Sequence, residues 1–395
     1  MFRFSSQDEH DVINFLRDLV RIPSLSTQEG QVAVRLMEEM RRVGFRDVYA
    51  DRMGNVIGRI GSGPGPVLVY DGHMDVVGVG DSEAWQRDPF GAEVEEGVMY
   101  GRGTVDMKGA IAAMVYGAKA LIEANTPLAG SLCVVGVVQE EPSEGLAMRV
   151  LVEEAGLRPD FVVLGEPTNL EVSRGQRGRM EMQITVRGRS AHASAPEQGE
   201  NALHAAARLI FGIELLAPSL LSDPVLGRGT IAVTQVETVA CSRNAIPDRA
   251  HMIIDRRLTL GETEARALNE IQQIINREGA KAKVAVSEYD VASYTGYRCH
   301  CRESYPAWLM PEDHPLLRAA VRASERAIGR RPRLTTWAFS TDGVYTLGQA
   351  SIPTVGFGPG EERFAHTAEE QIRLADVIKA AKVYAQLAVE VLGTQ

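Results

Sequence analysis

The sequence is short of basic charge and of cysteine. Its 395 residues contain 42 Lys and Arg against 52 Asp and Glu, which gives a formal net charge of −10. Because nucleic acids are bound by basic surfaces, this balance argues against a nucleic-acid partner. Four cysteines in a chain of this length do not make a disulfide framework.

Long apolar runs are also missing. No stretch of about 18 consecutive apolar residues occurs, the length that a membrane-spanning helix needs. The first residues, MFRFSSQDEHDV, contain acids where a secretory signal needs an apolar stretch. These absences predict a cytoplasmic protein without a membrane partner.

Two of the cysteines flank a histidine in the sequence RCHCRE. Cys299, His300 and Cys301 could form part of a site for a soft metal. Ligands on adjacent residues rarely close a tetrahedron without a distant partner, so a loop with a free or buried thiol is the favoured interpretation. The role of these cysteines stays open.

What the chain does contain is alternating helical and strand-like segments. Residues 27–43 place Val32, Leu36 and Met40 on one helical face, with Ser26 or Thr27 as cap and Gly44 as stop. Four runs rich in Val and Ile are predicted to be buried strands, at 67–70, 131–138, 161–164 and 352–357. They predict an α/β fold with a mostly parallel sheet covered by helices on both faces.

The pattern changes between residues 179 and 290. The predicted order there is strand, helix, strand, strand, helix, strand, which is the βαββαβ order of a ferredoxin-like motif. A length of 395 residues also favours two domains. We therefore expect one domain from residues 1–178 and 291–395, interrupted by an inserted domain of residues 179–290.

Acids and histidines follow each of the four predicted strands. His73 and Asp75 follow the first, Glu140 and Glu141 the second, Glu166 the third and His366 the fourth, and Asp106 precedes a predicted helix. Ligands of such sheets gather at the carboxyl ends of the strands. Carboxylates brought together there would repel one another unless a cation compensated them.

Two histidines and three carboxylates suit divalent metal ions. Five ligands are too many for one tetrahedral zinc, whereas two ions that share one bridging carboxylate fit the count. Each residue alone has a simpler interpretation: Asp75 or Asp106 could cap a helix, and Glu140 with Glu141 could form an exposed turn. Their joint placement at the strand ends favours the two-metal site.

The motifs GHMDVV, GRGTVDMKG, QEEPSEG, GEPT and AHTAEE, in this order, resemble those of the zinc peptidase family of acetylornithine deacetylase, succinyl-diaminopimelate desuccinylase and glutamate carboxypeptidase. The resemblance covers essentially the whole chain. Two further stretches, RGQRGRMEMQITVRGRSAHASAPEQGENA and STDGVYTLGQASIPTVGFGPG, most resemble a hydrolase branch encoded near selenium-metabolism genes. The implied fold is of the zinc-exopeptidase type, with the insert as a lid and dimerisation domain.

The resemblance also implies roles for individual residues. One metal would be held by His73, Asp106 and Glu166, and the second by Asp106, Glu141 and His366. Asp75 would orient His73 by accepting its other ring N–H. Glu140 would exchange protons with a water whose pKa the metals lower, and with the leaving amine. Zinc is the implied metal, while oxygen-rich sites also accept cobalt or manganese.

Further residues are implied in the insert. His192, in a polar loop after the first inserted strand, would stabilise the oxyanion in the other subunit of a homodimer formed through the insert. Asn244 and Arg257 are candidates for binding the substrate's carboxylate; Arg256 competes, because neighbours on a strand point to opposite faces. The loop GFGPG, 356–360, would let backbone N–H groups approach the substrate.

The predicted function is hydrolysis of the amide bond in an N-acyl amino acid or small peptide with a free carboxylate, as by a deacetylase, desuccinylase or carboxypeptidase. An aminopeptidase or dipeptidase is the first alternative, although no acidic group for the substrate's amine is assigned. A catalytically inactive binding protein on the same scaffold is the second; the complete ligand set with Glu140 argues against it.

Overall fold

The computed structural model describes residues 2–394. The α-helices of this range are α1 (Ser6–Val20), α2 (Gly30–Arg42), α3 (Gly109–Glu123), α4 (Leu146–Glu153), α5 (Ala202–Leu216), α6 (Glu264–Arg277), α7 (Pro315–Ile328), α8 (Gly343–Thr346) and α9 (Leu374–Leu392). The prediction of a core-facing helix within 27–43 is confirmed by α2, which buries Val32, Leu36 and Met40. The residue before its first turn is Glu29 rather than Ser26 or Thr27.

The strands are β1 (Asp47–Ala50), β2 (Val56–Ile60), β3 (Val67–His73), β4 (Glu93–Glu95), β5 (Val98–Tyr100), β6 (Ser131–Val137), β7 (Phe161–Leu164), β8 (Val172–Gln176), β9 (Gly178–Arg187), β10 (Ser222–Asp223), β11 (Gly227–Arg228), β12 (Thr230–Val239), β13 (Arg249–Leu258), β14 (Ala282–Val286), β15 (Glu288–Tyr289), β16 (Cys301–Arg302), β17 (Ser304–Tyr305), β18 (Trp308–Leu309), β19 (Leu334–Trp337), β20 (Thr354–Gly356) and β21 (Gln371–Arg373). They form one large mixed sheet, a second sheet in the inserted region and three small ones.

The large sheet is built around the four Val/Ile-rich strands. They lie side by side in the order β6-β3-β7-β20, and each neighbouring pair is parallel. All seven residues of β6 are buried, as expected of a parallel strand covered on both faces. The predicted α/β fold with a largely parallel central sheet is thereby confirmed. Antiparallel strands complete both sides, with β1 and β2 beyond β6, and β8 and β18 beyond β20.

Helices flank both faces of this sheet. Tyr70 of β3 points to one face, where its hydroxyl donates to the backbone carbonyl of Tyr384 in α9 at 2.6 Å. The next residue, Asp71, points to the other face and contacts Asp342, which directly precedes α8. Alternate residues of β3 thus pack against different helices, and the strand's carboxyl end is free to present His73.

The inserted region has a sheet and a core of its own. Its four long strands are antiparallel in the order β12-β13-β9-β14, and the chain order with α5 and α6 is βαββαβ. Residues such as Met182, Leu209, Ile254 and Ile271 are completely buried between the sheet and the helices. The short strand β17 lies beyond residue 290 yet pairs with Met180 and Arg179. The limits 1–178, 179–290 and 291–395 stay a prediction.

Within residues 2–394, one segment, Ala202–Ser219, is long and apolar enough to cross a membrane by length and composition only. It consists of α5 and the short turn that follows. A third of the segment is buried, through residues such as Ala206, Leu209 and Ile213. A helix that packs on a protein sheet passes the same test, so this feature is weak evidence of a membrane span.

Candidate metal centre

The carboxyl ends of the parallel strands bring the predicted ligands together. His73 is the last residue of β3, while Glu140 and Glu141 follow β6, and Glu166 follows β7. Parallel strands that are neighbours in a sheet end at the same edge, which explains why residues so distant in sequence meet. Asp106 approaches this edge from the turn before α3, and His366 from the loop between β20 and β21.

The first group of potential ligands comprises His73, Asp106 and Glu166, and all three residues are buried. His73 Nε2 lies 2.8 Å from Asp106 Oδ1 and 3.8 Å from Glu166 Oε1. The three ligand atoms lie within 4.8 Å of one another, the spacing expected around a single ion.

The second group comprises Asp106, Glu141 and His366. His366 Nε2 lies 3.1 Å from Asp106 Oδ2 and 3.1 Å from Glu141 Oε2. Asp106 therefore offers a different carboxylate oxygen to each group, as a bridging ligand would. His366 lies at the open side of the site, where 52% of its side chain is exposed.

The electrostatics of the site show how strongly its acids need positive charge. Burial, reinforced by neighbouring carboxylates, raises the pKa of Glu140 and of Glu166 well above the ordinary value. Burial would also raise the pKa of Asp106, but hydrogen bonds from His366 and His73 hold it below its usual range. Reciprocally, the hydrogen bonds to Asp106 and Glu141 raise the pKa of His366 to about 10. Positive charge at this position therefore stabilises the ionised acids.

The donor set fits two divalent ions. Carboxylate oxygens and imidazole nitrogens are ligands of zinc and of its first-row neighbours. Within residues 2–394, Glu141 Oε1 and Glu140 Oε1 are buried without a hydrogen-bond partner. Buried carboxylate oxygens without a partner are costly, so a further positively charged or hydrogen-donating group belongs at this position.

Glu140 and Glu141 are held in different directions by one turn. The backbone N–H of Glu140 donates to Asp75 Oδ1 and that of Glu141 to Asp75 Oδ2, both at 3.2 Å. Gln139, just before them, has a φ of +55°. This turn directs Glu141 to the second ligand group. Glu140 stays buried beside the ligand groups. In the described chain its carboxyl forms no hydrogen bond with either imidazole.

The prediction that the carboxylate of Asp75 accepts the ring N–H of His73 is wrong. His73 Nδ1 lies 2.9 Å from the backbone oxygen of Asp75 and 3.8 Å from its carboxylate. The backbone carbonyl therefore orients the imidazole. The carboxylate is occupied elsewhere, because it accepts the two amides of the Glu140 turn and the hydroxyl of Ser26 at 2.7 Å.

His192 and Asn244 lie next to each other in loops at one end of the inserted sheet. The backbone N–H of Ala193 donates to the carbonyl of Asn244 at 2.8 Å. Both residues are exposed, and His192 Nδ1 contacts the Ser194 hydroxyl at 2.6 Å. Across the described residues, neither side chain forms a hydrogen bond or ion pair with the candidate metal ligands.

The two candidate arginines differ in their surroundings. Arg256 is completely buried and paired with Glu262 at 2.5 Å and Glu270 at 2.6 Å, which makes it part of the insert's interior. Arg257 has 28% of its side chain exposed and binds Asp255 at 2.8 Å. It stands near the end of β13 that is farther from the Asn244 loop. The stretch of strand from Arg249 to Arg257 spans roughly 26 Å at about 3.3 Å per residue. Asn244 and Arg257 of one chain are therefore not adjacent.

The other sequence predictions near the site have structural explanations. Cys299 accepts a hydrogen bond from Arg149 at 3.1 Å, whereas His300 contacts Glu288 and Cys301 is buried beside Tyr305. The three side chains have separate partners, and all four cysteines are free thiols. In the loop 356–360, a side chain on Gly358 would lie 2.2 Å from the carbonyl oxygen of Gly165, so close backbone packing requires this glycine.

Sequence reasoning missed three charged residues around the site, of which Arg102 and Glu370 are buried and Arg179 has 15% of its side chain exposed. Arg102 and Glu370 pair with each other. They belong to the motifs GRGTVD and AHTAEE, so the signal available in the sequence was a charged residue close to a candidate ligand. Arg179 connects Glu144 at 3.1 Å and Asp255 at 3.2 Å, and no local pattern indicated that its partners would come from distant segments.

Comparison with known proteins places this geometry in context. Residues 69–390 match the model of peptidase family M20/M25/M40. The Escherichia coli (strain K12) protein YgeY, itself uncharacterised, is 42% identical over 388 residues, which cover 98% of this chain and 95% of that protein. A succinyl-diaminopimelate desuccinylase of Methylorubrum extorquens is 30% identical over 401 residues, covering 96% and 98%.

Among solved structures, an M20 family metallo-carboxypeptidase of Sulfolobus solfataricus, Sso-CP2, superimposes with a TM-score of 0.75 over 97% of this chain and 99% of that one, at 17% identity. This likeness concerns the fold. The family match spans both potential ligand groups, with His73 near its start and His366 near its end. The chain therefore belongs to peptidase family M20/M25/M40 and is a metal-dependent amidohydrolase.

Proposed function

We propose that the protein hydrolyses the amide bond of an N-acyl amino acid or small peptide that carries a free carboxylate. The observation that carries this proposal is the pair of ligand groups that share Asp106, with the buried carboxyl of Glu140 beside them. A deacetylase, desuccinylase or carboxypeptidase needs these parts and a cationic group for the carboxylate.

In this proposal His73, Asp106 and Glu166 hold one divalent ion, and Asp106, Glu141 and His366 hold the other. Zinc is the favoured ion, and cobalt or manganese also suits the donors. Such ions would supply Lewis-acid activation of the scissile carbonyl and of the attacking water. Glu140 takes the proton of that water and later gives it to the leaving amine.

Arg257 is the proposed partner of the substrate's carboxylate. Its Nε and Nη2 bind the carboxylate of Asp255, at 2.8 Å and 3.1 Å, so the substrate's carboxylate would bind through the remaining Nη1 or displace Asp255. Partial exposure leaves it accessible to a ligand. An acidic protein repels anions in general, so a local guanidinium is needed to bind one.

We further propose a homodimer formed through the insert, in which His192 and Asn244 serve the partner's site. On α5, the outward side chains of Phe211 and Leu215 are 61% and 58% exposed, an unusual feature for residues of this size. The adjacent strand β12 is the edge of the inserted sheet and pairs only with β13 in the described chain. A second copy would cover both the apolar face and the open edge.

Metal analysis of the purified protein, followed by a panel of acetylated, succinylated and dipeptide substrates, tests the proposal. Two divalent ions per chain and hydrolysis that requires the free carboxylate are the expected results. Equal hydrolysis of amidated and free-carboxylate substrates would favour an aminopeptidase or dipeptidase, and metal binding without turnover would favour a binding protein on this scaffold. Membership of the selenium-linked branch stays a prediction.

A further inference from the structure

Glu370 and Arg102 form a buried ion pair next to the ligand groups. Glu370 Oε2 accepts from Arg102 Nη1, and neither side chain is more than 3% exposed. Arg102 is itself anchored, because its Nη2 donates to the carbonyl of Gly78 at 3.3 Å and its guanidinium lies 5.2 Å from the Trp85 ring centroid. Glu370 is therefore held in one orientation.

The other oxygen of Glu370 binds the backbone that presents Asp106. Oε1 accepts from the N–H of Gly103 at 2.9 Å, of Val105 at 3.1 Å and of Asp106 at 3.3 Å. Three N–H groups converge on one oxygen because Gly103 has a φ of +84°, in the left-handed region that favours glycine. A carboxylate that accepts several backbone N–H groups fixes a turn more firmly than a neutral group does.

The same residue fixes the segment that follows His366. The backbone N–H of Gly101 donates to the carbonyl of Glu370 at 3.0 Å, and β21, which begins at the next residue, pairs with β5. His366 itself has a φ of +60° and a half-exposed side chain, and it lies four residues before Glu370. Glu370 thus links the turn of Asp106 to the loop of His366, two of the three ligands in the second group.

We propose that Glu370, held by Arg102, is a positioning residue that keeps Asp106 and His366 at the spacing required to bind the second metal ion. This role rests on the proposed two-metal function. It differs from general stabilisation, because the link joins two ligand segments rather than two parts of the core. Groups that orient ligands from outside the coordination sphere typically change metal affinity by roughly 10–100-fold when removed.

The experiment compares Glu370→Gln with the wild type and with Glu369→Gln, an exposed neighbour that loses the same charge. Metal-free proteins are titrated with Zn²⁺ against a chromophoric chelator. We expect Glu370→Gln to bind the weaker of two ions about 10–100-fold less tightly, while the stronger ion changes less. Activity should return when Zn²⁺ is raised, and Glu369→Gln should match the wild type.

A second variant covers the case in which Glu370→Gln does not fold. Arg102→Lys keeps the charge but loses the planar fork, and it should weaken the same ion by a smaller factor. A lowered Tm of the metal-free protein with unchanged affinity for both ions would overturn the positioning role. A wild type that binds no divalent ion would instead refute the proposed function itself, so the two failures are distinguishable.

Discussion

At the scale of single residues, Glu140 and Glu141 show how one turn gives two identical side chains different surroundings. Asp75 accepts both of their backbone N–H groups, and the turn then directs only Glu141 towards His366. Glu140 remains buried, and its Oε1 has no hydrogen-bond partner among residues 2–394. The chemical difference between the two acids is therefore set by backbone geometry.

Glu140→Gln should retain both metal ions and substrate affinity but lower kcat by roughly 10²–10⁴-fold, because general acid–base catalysis is lost. Glu141→Gln should lose one ion, because a ligand oxygen is replaced. Metal content by atomic emission and steady-state kinetics measure both outcomes. Equal metal loss in the two variants, with activity per metal preserved, would contradict the assignment.

Asp75→Asn tests the corrected role of Asp75. The amide keeps one acceptor oxygen but directs an NH₂ group at a backbone N–H of the Glu140 turn, so the turn should shift. We expect kcat to fall by roughly 10–100-fold, as for other groups that orient a site indirectly. The ion bound through His73 should remain, because the backbone carbonyl of Asp75 is unchanged.

Ser26→Ala is the matched control for this change, since it removes another hydrogen-bond partner of the same carboxylate and leaves the turn intact. Its kcat should stay close to that of the wild type. Loss of the ion in Asp75→Asn would mean that the carboxylate orients His73 after all.

Four of the five candidate ligands could be read from the sequence because they follow Val/Ile-rich strands, and parallel strands end at one edge. Asp106 precedes α3 instead, and its role came from the family resemblance. The contact of Asp75 could not be read in the same way. Whether its carbonyl or its carboxylate meets His73 depends on a turn whose hydrogen bonds come from residues 49 to 66 positions away. Long-range partners of this kind leave no local pattern.

At the scale of elements, the junction between the insert and the catalytic region is a cluster of buried and partly buried charges. Arg179 of β9 pairs with Glu144, Asp255 and Glu303, which come from three different segments. Glu303 also accepts hydrogen bonds from Ser143 and Tyr305. Burial, with the negative charge of Glu144, raises the pKa of Glu303 from 4.5 to about 7.

This shift predicts a pH-dependent contribution to stability. The folded protein keeps a proton on Glu303 that the unfolded chain releases, so the stabilisation is complete below pH 4.5 and is lost as the pH rises through about 7. Glu303→Gln resembles the protonated form. It should match the wild type near pH 4.5 and exceed it at pH 8 by on the order of 2 kcal/mol.

Thermal unfolding of the metal-free protein at several pH values measures the difference. Glu369→Gln, which changes an exposed acid, should follow the wild type at every pH. A wild type and a Glu303→Gln variant that differ by the same amount at pH 4.5 and pH 8 would show that Glu303 does not titrate in this range.

The elements that could be predicted were those with a continuous pattern of apolar residues. The four central strands and the βαββαβ order of the insert have runs of apolar residues at a clear period. The short strands β8, β18 and β19 were not predicted. The sequence of β8, VSRGQ, has no apolar period, and this segment becomes a strand by pairing with β20, β18 and β19. Such strands are defined by tertiary pairing rather than by their own sequence.

At the scale of the whole molecule, the exposed loops of His192 and Asn244 make the proposed dimer testable. Mixing inactive Glu140→Gln chains with inactive His192→Ala chains should restore activity, because one site of each heterodimer has both groups intact. In a symmetric dimer with random exchange, about a quarter of the wild-type activity is expected. Activity after refolding the mixed chains is the measurement.

A mixture of Glu140→Gln and Glu141→Gln chains is the control. Both residues belong to the catalytic region of one chain, so no heterodimer has an intact site and no activity should return. Absence of recovery in the first mixture, with subunit exchange demonstrated by labelled chains, would mean that His192 does not act across the interface.

The position of β20 has a consequence for how the protein is made. This strand, at Thr354–Gly356, lies between β7 and β8, which the ribosome releases far earlier. Until it arrives, the large sheet has a gap beside the buried Val162 and Val163 of β7, whereas the insert already possesses all four of its long strands. Nascent chains therefore carry a finished insert on an unfinished sheet whose open edge is prone to aggregation. Because His366 emerges later still, a chain stalled before this point has a complete ligand set for the first group only and lacks one ligand of the second.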